Sequence, residues 1–283
     1  RERWGGVRTV GSSLNRRIRL HEAEPKGEDS VSMHVQADSN SQIEINTEKN
    51  AEVVFRLLGY WSSGSYVEAF SGFSAESSSN WDVHSLGPAG VPAQAVVEIV
   101  ASNSNSGSER SVGFRSPGSS LERRLSLQEA ESGGVDAVSA WVNSDSLSQI
   151  EVYAESSGDI DFHLLGYWSV APGNYTEAAT VLAGPGASAS WEAGNLSANA
   201  VPADAIVQLL LANGASDTNA KMGVRQIGSV LSRIIDLHEA ENGGNDLATI
   251  QVKTDSDSSI EWYDHQSGAG QFFSLIGWWE ITP

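Results

Sequence analysis

The sequence contains no cysteine among its 283 residues, and basic residues are scarce. The missing thiols exclude disulfide bonds and metal sites built from thiolates. Only 17 Lys and Arg residues stand against 36 Asp and Glu residues, which gives a formal net charge of −19. Because such a surface repels phosphate groups and anionic lipids, we expect neither nucleic acid nor a membrane surface as a partner.

Long apolar runs are also missing. The longest, AIVQLLLA at 205–212, has the length of a strand and is far shorter than the ~18 residues of a membrane span, so we expect no membrane insertion. The composition is 40% apolar with nine Trp, which is enough to build cores and excludes a disordered chain. The first residue is Arg and no signal peptide is visible, so we expect a processed product or a segment of a longer protein.

What the sequence does contain is one pattern written three times. RLLGYW at 56–61 returns as HLLGYW at 163–168 and as SLIGWW at 274–279. Further stretches keep the same register, such as GVRTVGSSL, GFRSPGSSL and GVRQIGSVL, which begin at Gly6, Gly113 and Gly223. The copies are offset by about 107 and 110 residues. This period is far longer than the ~20–50 residues of solenoid repeats and has the size of a domain.

Within each copy the apolar residues alternate with polar ones, which is typical of half-buried strands. The stretch 150–154 shows this, and turn formers such as those at 133–134 and 184–186 separate the apolar runs. Eight candidate strands fit into one period. The fold class that this predicts is all-β: tandem antiparallel β-sandwich repeats, jelly-roll-like, of about 107–110 residues, with one copy incomplete. An eight-stranded barrel is the alternative.

The chain holds roughly two and two-thirds such repeats. We expect a partial repeat at 1–72 that lacks its first strands, followed by complete repeats at 73–182 and 183–283. A sandwich without some of its strands exposes a core groove and unpaired edge amides. Either the natural chain is longer, or a neighbouring subunit supplies strands and builds a fibre or closed assembly. Short connectors predict modules arranged as beads of a rod.

A polar set recurs in every copy, and we interpret it as a structural ion pair. Alternation places a Glu on the apolar face of one strand, and an Arg from the preceding strand of the hairpin is its expected partner. The predicted pairs are Arg8 with Glu22, Arg115 with Glu129 and Arg225 with Glu239. A carboxylate pair for acid–base catalysis is the other interpretation. Because the set recurs beside a turn in all copies, we favour the structural role and predict no catalytic residues and no enzyme.

Paired aromatic residues end each LGYW phrase. One ring of each pair faces the core, and its neighbour is free to stack on a sugar or to pack against the next domain. The candidate glycan or interface aromatics are Tyr60, Trp61, Tyr167, Trp168, Trp278 and Trp279.

Acidic turns are the only candidates for a metal. Asp38, Asp145 and Asp255 each open the turn before an Ile-Glu strand, and Asp257 makes the third copy resemble a cation loop. Calcium requires six to eight oxygen ligands, and the second copy has Leu147 at the position of Asp257. We therefore expect turn capping, no metal and no cofactor, with calcium as the alternative.

These observations predict a non-catalytic structural protein. It would serve as a virion fibre or decoration protein, or as the subunit of an extracellular filament, and would act at the virion surface or outside the cell. Self-association or a larger assembly would supply its partners. The alternative is a carbohydrate-binding or adhesive surface module, with a glycan as the partner.

Overall fold

The computed structural model describes residues 3–20, 29–48, 53–130, 134–184, 189–240, 244–265 and 270–281. Within these ranges no helix is long and apolar enough to cross a membrane. Two short 3₁₀ turns occur at Gly87–Ala89 and Ser197–Asn199. The strands are β1 Arg3–Thr9, β2 Arg17–Leu20, β3 Ile43–Thr47, β4 Ser65–Phe73, β5 Trp81–Ser85, β6 Val96–Asn103, β7 Arg110–Arg115, β8 Arg124–Leu127, β9 Asp136–Asn143, β10 Gln149–Ala154, β11 Ile160–Val170, β12 Gly173–Leu182, β13 Trp191–Asn195, β14 Ile206–Asn213, β15 Ala220–Arg225, β16 Ile234–Leu237, β17 Asp246–Lys253, β18 Ser259–Asp264 and β19 Gln271–Ile281.

The strands β4 to β11 form one two-sheet unit, and β12 to β19 form a second with the same order. In the first, the sheets are β4-β11-β6-β9 and β5-β10-β7-β8; in the second, they are β12-β19-β14-β17 and β13-β18-β15-β16. If the eight strands of a unit are called a to h in chain order, the sheets read a-h-c-f and b-g-d-e. All pairs within them are antiparallel. The predicted tandem β-sandwich is thereby confirmed.

Strand pairing divides the chain earlier than the expected boundaries at 72 and 182. The strand β4 pairs with β11, and β12 pairs with β19. Each of these strands therefore opens the unit that follows it, and does not close the one before. We call residues 65–170 unit 2 and residues 173–281 unit 3.

Residues 3–61 form unit 1, which is the incomplete copy. Its sheet β2-β1-β3 supplies strands e, d and g, while the segments 31–36 and 53–61 correspond to f and h without being strands. The 283 residues hold no equivalent of strands a, b and c for this unit. In the described residues its apolar positions are therefore exposed: Ile43 by 41%, Ile45 by 57%, Phe55 by 37% and Leu57 by 85%. The equivalents in unit 2, Ile150, Val152, Phe162 and Leu164, are all 0% exposed.

The glycine of the LGYW phrase makes room for a tyrosine from strand a. A Cβ at Gly166 would collide with the ring and hydroxyl of Tyr66, and one at Gly277 would collide with those of Tyr175. The strand register shifts between Leu164 and Gly166, which is a β-bulge at this contact. A larger residue would displace strand a, so the phrase encodes the a–h strand pair.

The glycine of the GVR or GFR phrase makes room for a tryptophan from strand b. A Cβ at Gly113 would lie 2.7 Å from Cη2 of Trp81, whose ring is covered by the Arg115 guanidinium at 4.0 Å from the centroid. Unit 3 repeats the arrangement, with Arg225 4.2 Å from the Trp191 centroid. These cation–π contacts fix strand b on the sheet that it borders.

The three units pack around a common axis and do not form a rod of beads. One position of strand h always contacts the preceding unit. Leu165 of unit 2 clusters with Ile18 of unit 1, and Ile276 of unit 3 packs into the core of unit 2. Leu58 of unit 1 packs against the core of unit 3, which closes the cycle. The expectation of a rod was wrong, because both faces of the a-h-c-f sheet are apolar.

Candidate functional site

The three units meet at a cluster of tryptophans from equivalent positions. Trp61, Trp168 and Trp279, which we call the axial tryptophans, have ring centroids 5.4, 5.8 and 5.9 Å apart. Trp168 and Trp279 are buried, and the rings meet edge to face, the arrangement that aromatic pairs prefer. Of the two roles predicted for these rings, the structure places them in the interface.

The other three candidate aromatics have separate environments. Tyr167 is partly buried and packs against the core of unit 2, and Trp278 belongs to the core of unit 3. Tyr60 is 87% exposed. Of the six residues, Tyr60 is therefore the one with a ring open to a ligand.

An arginine and a glutamate join each unit to the next. Nη1 of Arg16 in unit 1 lies 3.4 Å from Glu68 on strand a of unit 2, and Nη1 of Arg123 in unit 2 lies 3.6 Å from Glu177 on strand a of unit 3. All four side chains are at most 6% exposed. We call this contact the Arg–Glu joint. Its two occurrences show that both interfaces use the same chemistry.

Carbonyl groups satisfy the rest of the Arg123 guanidinium. Its nitrogens donate to the carbonyl oxygens of Phe114 and Trp141 in its own unit and of Ala178 and Ile276 in unit 3, at 2.8–3.1 Å. Five donors in a planar fork suit this many partners, which a lysine could not match. Arg123 therefore binds two units with one side chain.

A second polar contact accompanies each joint. In unit 2, Glu98 on strand c accepts from the backbone N–H of His34 and from the Tyr66 hydroxyl. Burial alone would raise the pKa of Glu98, but His34, Arg16 and Tyr66 together hold it below its usual value. In unit 3 the equivalent residue is Gln208, whose side-chain oxygen accepts from the backbone N–H of Trp141 and from the Tyr175 hydroxyl.

Unit 3 carries the same arginine but has no joint with unit 1. Arg233 is only half-buried, and its Nη2 donates to the carbonyl oxygen of Gln251 at 2.7 Å. Its buried Nε has no partner among the described residues, and desolvation lowers its pKa. Glu68 and Glu177 lie on strand a of units 2 and 3, and the described residues contain no such strand for unit 1.

The partner expected for the recurring arginine was wrong. The Nε of Arg8, Arg115 and Arg225 lies 2.5–2.6 Å from Glu44, Glu151 and Glu261, respectively. These glutamates stand directly opposite on strand g, whereas Glu129 follows β8 at the far end of the d–e hairpin, where Arg110 pairs with Leu127. Glu239 has the corresponding place after β16, and Glu22 lies outside the described residues.

Three aspartates converge on the axis at equivalent positions. Carboxylate oxygens of Asp29, Asp136 and Asp246 lie within 4.8 Å of one another. Burial, followed by the charge of the neighbouring aspartates, raises the pKa of Asp136 and Asp246 well above the usual range. Backbone N–H groups of Gln128 and His238 donate to these two carboxylates. The triad brings together three carboxylate groups, whereas calcium takes six to eight oxygen ligands.

Sequence reasoning missed this triad and the Arg–Glu joint. In both cases the available signal was the recurrence of the residues at the repeat offsets.

The acidic turns are capped as expected. Oδ1 of Asp38, Asp145 and Asp255 each accepts two backbone N–H groups at 2.8–2.9 Å. Asp257 is exposed and donates its own N–H to Asp255. These Oδ1 atoms are committed to the turn, and the absence of a metal stays a prediction, with calcium as its alternative.

We predict that Arg123→Ala strongly destabilises the protein. The substitution leaves Glu177 buried without its partner, so the free energy of unfolding should fall by about 3–5 kcal/mol. Arg124→Ala is the matched control, because Arg124 meets Glu122 with side chains 46% and 57% exposed and should cost under about 1 kcal/mol. Equal effects of the two substitutions in a urea titration would contradict the joint.

We also predict that the contribution of Asp246 to stability falls as the pH rises above about 4, the pKa of an unfolded aspartate. Since folding raises the pKa of Asp246, the folded state binds more protons than the unfolded state up to that raised pKa, and stability is lost across this window. Asp246→Asn should flatten the decline of the melting temperature above about pH 5, which lies above the pKa of an unfolded aspartate, whereas Asp257→Asn, at an exposed position, should not. If the melting temperature of Asp246→Asn depended on pH as that of the unchanged protein does, the raised pKa of Asp246 in the folded state would be refuted.

No protein-family model matches this chain, and no curated protein matches it either. Among solved structures, one similar chain is the N-terminal tandem CBM22-1–CBM22-2 domain of Xyn10C from Paenibacillus barcinonensis. The identity is 11%, the match covers 77% of this chain and 95% of the other, and the TM-score is 0.20. At these values the similarity carries no inference about function.

Proposed function

We propose that the protein is a non-catalytic structural component built from repeated β-sandwich units. It serves as a virion fibre or decoration protein or as the subunit of an extracellular filament, at the virion surface or outside the cell. The observation that supports this most is the cluster of axial tryptophans. These rings, which a glycan-binding protein would present to solvent, are used to hold three units together.

The recurring charged residues support the same proposal. The Arg–Glu joint links neighbouring units, and the Arg115–Glu151 pair links strands inside one unit. Both are assigned to structural contacts rather than to a substrate. The formal net charge of −19 favours a building block that is soluble and does not associate non-specifically.

The incomplete unit supports a role in assembly. Unit 1 exposes apolar core positions and unpaired strand edges, which are ready to pair with further strands. A structural protein completed by strands from outside residues 1–283 accounts for this exposure.

A glycan-binding module is the second candidate, and partly exposed rings favour it. Besides Tyr60, Trp81 and Trp191 lie half-buried on the outer faces of their sheets, each against a tyrosine ring about 5.5 Å away. Such rings can stack on a sugar.

Electron microscopy of the native material, together with sedimentation of the purified chain, tests the two candidates. We expect regular filaments or particles, and a sedimentation coefficient that increases with protein concentration. A chain that stays monomeric, forms no particles and is retained on a polysaccharide array would contradict the structural role. Loss of that retention in Tyr60→Ala, with folding intact, would assign the glycan site to that exposed ring.

A further inference from the structure

We propose that unit 1 and the Arg233 face of unit 3 form one docking surface for a segment with strands a, b and c of this repeat. The segment lies outside residues 1–283 and enters unit 1 as β4, β5 and β6 enter unit 2. This inference rests on the proposed structural function and identifies the chemistry of the missing partner. Four independent observations define the segment.

The first observation is the open space beside strand h of unit 1. Gly59 is the equivalent of Gly166, yet no described atom lies within 4 Å of the position that its Cβ would take. At Gly166 and Gly277 that space holds a tyrosine of strand a. The docking segment therefore carries a tyrosine on its first strand.

The second observation is a cavity of about 340 Å³ beside the sheet β2-β1-β3 of unit 1. Gly6, Arg8, Glu44 and Ile45 help to line it. In unit 2 the equivalents of Gly6 and Arg8 are Gly113 and Arg115, which hold the indole of Trp81 between them. The cavity thus lies where strand b would place a tryptophan.

The third observation is Arg233. Its equivalents, Arg16 and Arg123, are 2% and 4% exposed because a glutamate from strand a of the next unit covers them. Arg233, which no such glutamate covers among the described residues, remains half-buried. In the cyclic order unit 1 follows unit 3, so the glutamate must come from strand a of unit 1, two residues after the tyrosine.

The fourth observation is that segment 53–61, the equivalent of strand h in unit 1, already contacts the other two units. Leu58 packs against unit 3, and Trp61 contacts both other axial tryptophans. In units 2 and 3, strands a and c flank strand h on its two sides. One segment would therefore cover Phe55 and Leu57, fill the gap between h and f, and reach Arg233.

Copies of the same 283 residues cannot supply this segment. The described residues contain segments d to h of all three units, but strands a to c of units 2 and 3 only. Any exchange between copies would leave one unit in three without its first strands. The segment must come from outside these residues, and in units 2 and 3 it joins strand d through a short loop, from Asn103 to Arg110 and from Asn213 to Ala220.

The test joins residues 65–107 of the chain, which hold β4 to β6, to the N-terminal side of Arg1. We expect the added strands to lower amide exchange of β3 and residues 53–61 by about tenfold or more and to raise the melting temperature. Arg233→Ala should then lower the melting temperature by about 5 °C or more in the extended chain, and much less in the 283-residue chain. Changing Glu68 to Gln in the added copy alone should reproduce that loss, whereas changing the exposed Glu76 to Gln in the added copy should not.

Unchanged exchange in unit 1 of the extended chain would overturn the docking surface. Equal effects of Arg233→Ala in both chains would overturn the Arg233 contact. Protection of β3 in an oligomer of the 283-residue chain would identify a second copy as the occupant and likewise overturn the proposal. These readouts concern unit 1 and its contact with Arg233 of unit 3, so they can fail while filaments or particles are still observed, and the proposed function is tested separately.

Discussion

Strand h of units 2 and 3 and the equivalent segment 53–61 of unit 1 pack around one axis, and the rest of the structure depends on this packing. Each strand contributes a tryptophan to the axis and an aliphatic residue to the unit before it. Burial of one such side chain is worth about 1.5–3 kcal/mol, and each aromatic contact adds about 0.5–1.5 kcal/mol. Because this contribution is shared between units, no unit has its a-h-c-f sheet covered on both faces without its neighbours.

This constraint explains why the sequence repeats its phrases so faithfully. The glycine of LGYW receives a tyrosine from strand a, and the same strand carries the glutamate of the Arg–Glu joint. A change in strand a therefore affects its own sandwich and the neighbouring unit together. The phrase at 56–61 keeps this form in unit 1, although the tyrosine that it would receive is not among the 283 residues.

Much of the fold could be predicted from the sequence. Alternation of apolar residues gave the strands, and offsets of about 107 and 110 residues gave the repeat and its incomplete copy. The partner of Arg115 could not be predicted in this way. Its position depends on pairing between strands d and g, which lie far apart in the chain, whereas the spacing of residues in the sequence indicates only the adjacent d–e hairpin. The unit boundaries were displaced because strand a occurs only twice and lies between two units.

The arrangement of the units around one axis could not be predicted from the sequence, for a different reason. A tryptophan that faces a neighbouring unit and one that faces a sugar have the same alternation, so Trp168 was compatible with both roles. The aspartate triad and the Arg–Glu joint have a signal in the sequence, since Asp136 and Arg123 recur at the repeat offsets. Recurrence alone does not tell whether equivalent residues meet each other.

Disulfide formation across the axis tests the central claim most directly, because the chain has no cysteine of its own. The hydroxyl oxygens of Ser139 in unit 2 and Thr249 in unit 3 are 3.3 Å apart. The double variant Ser139→Cys, Thr249→Cys should form the bond on oxidation of the folded protein, as read by mass spectrometry. The control Ser139→Cys, Ser258→Cys should keep free thiols. Free thiols in both folded variants would contradict the packing of the units around one axis.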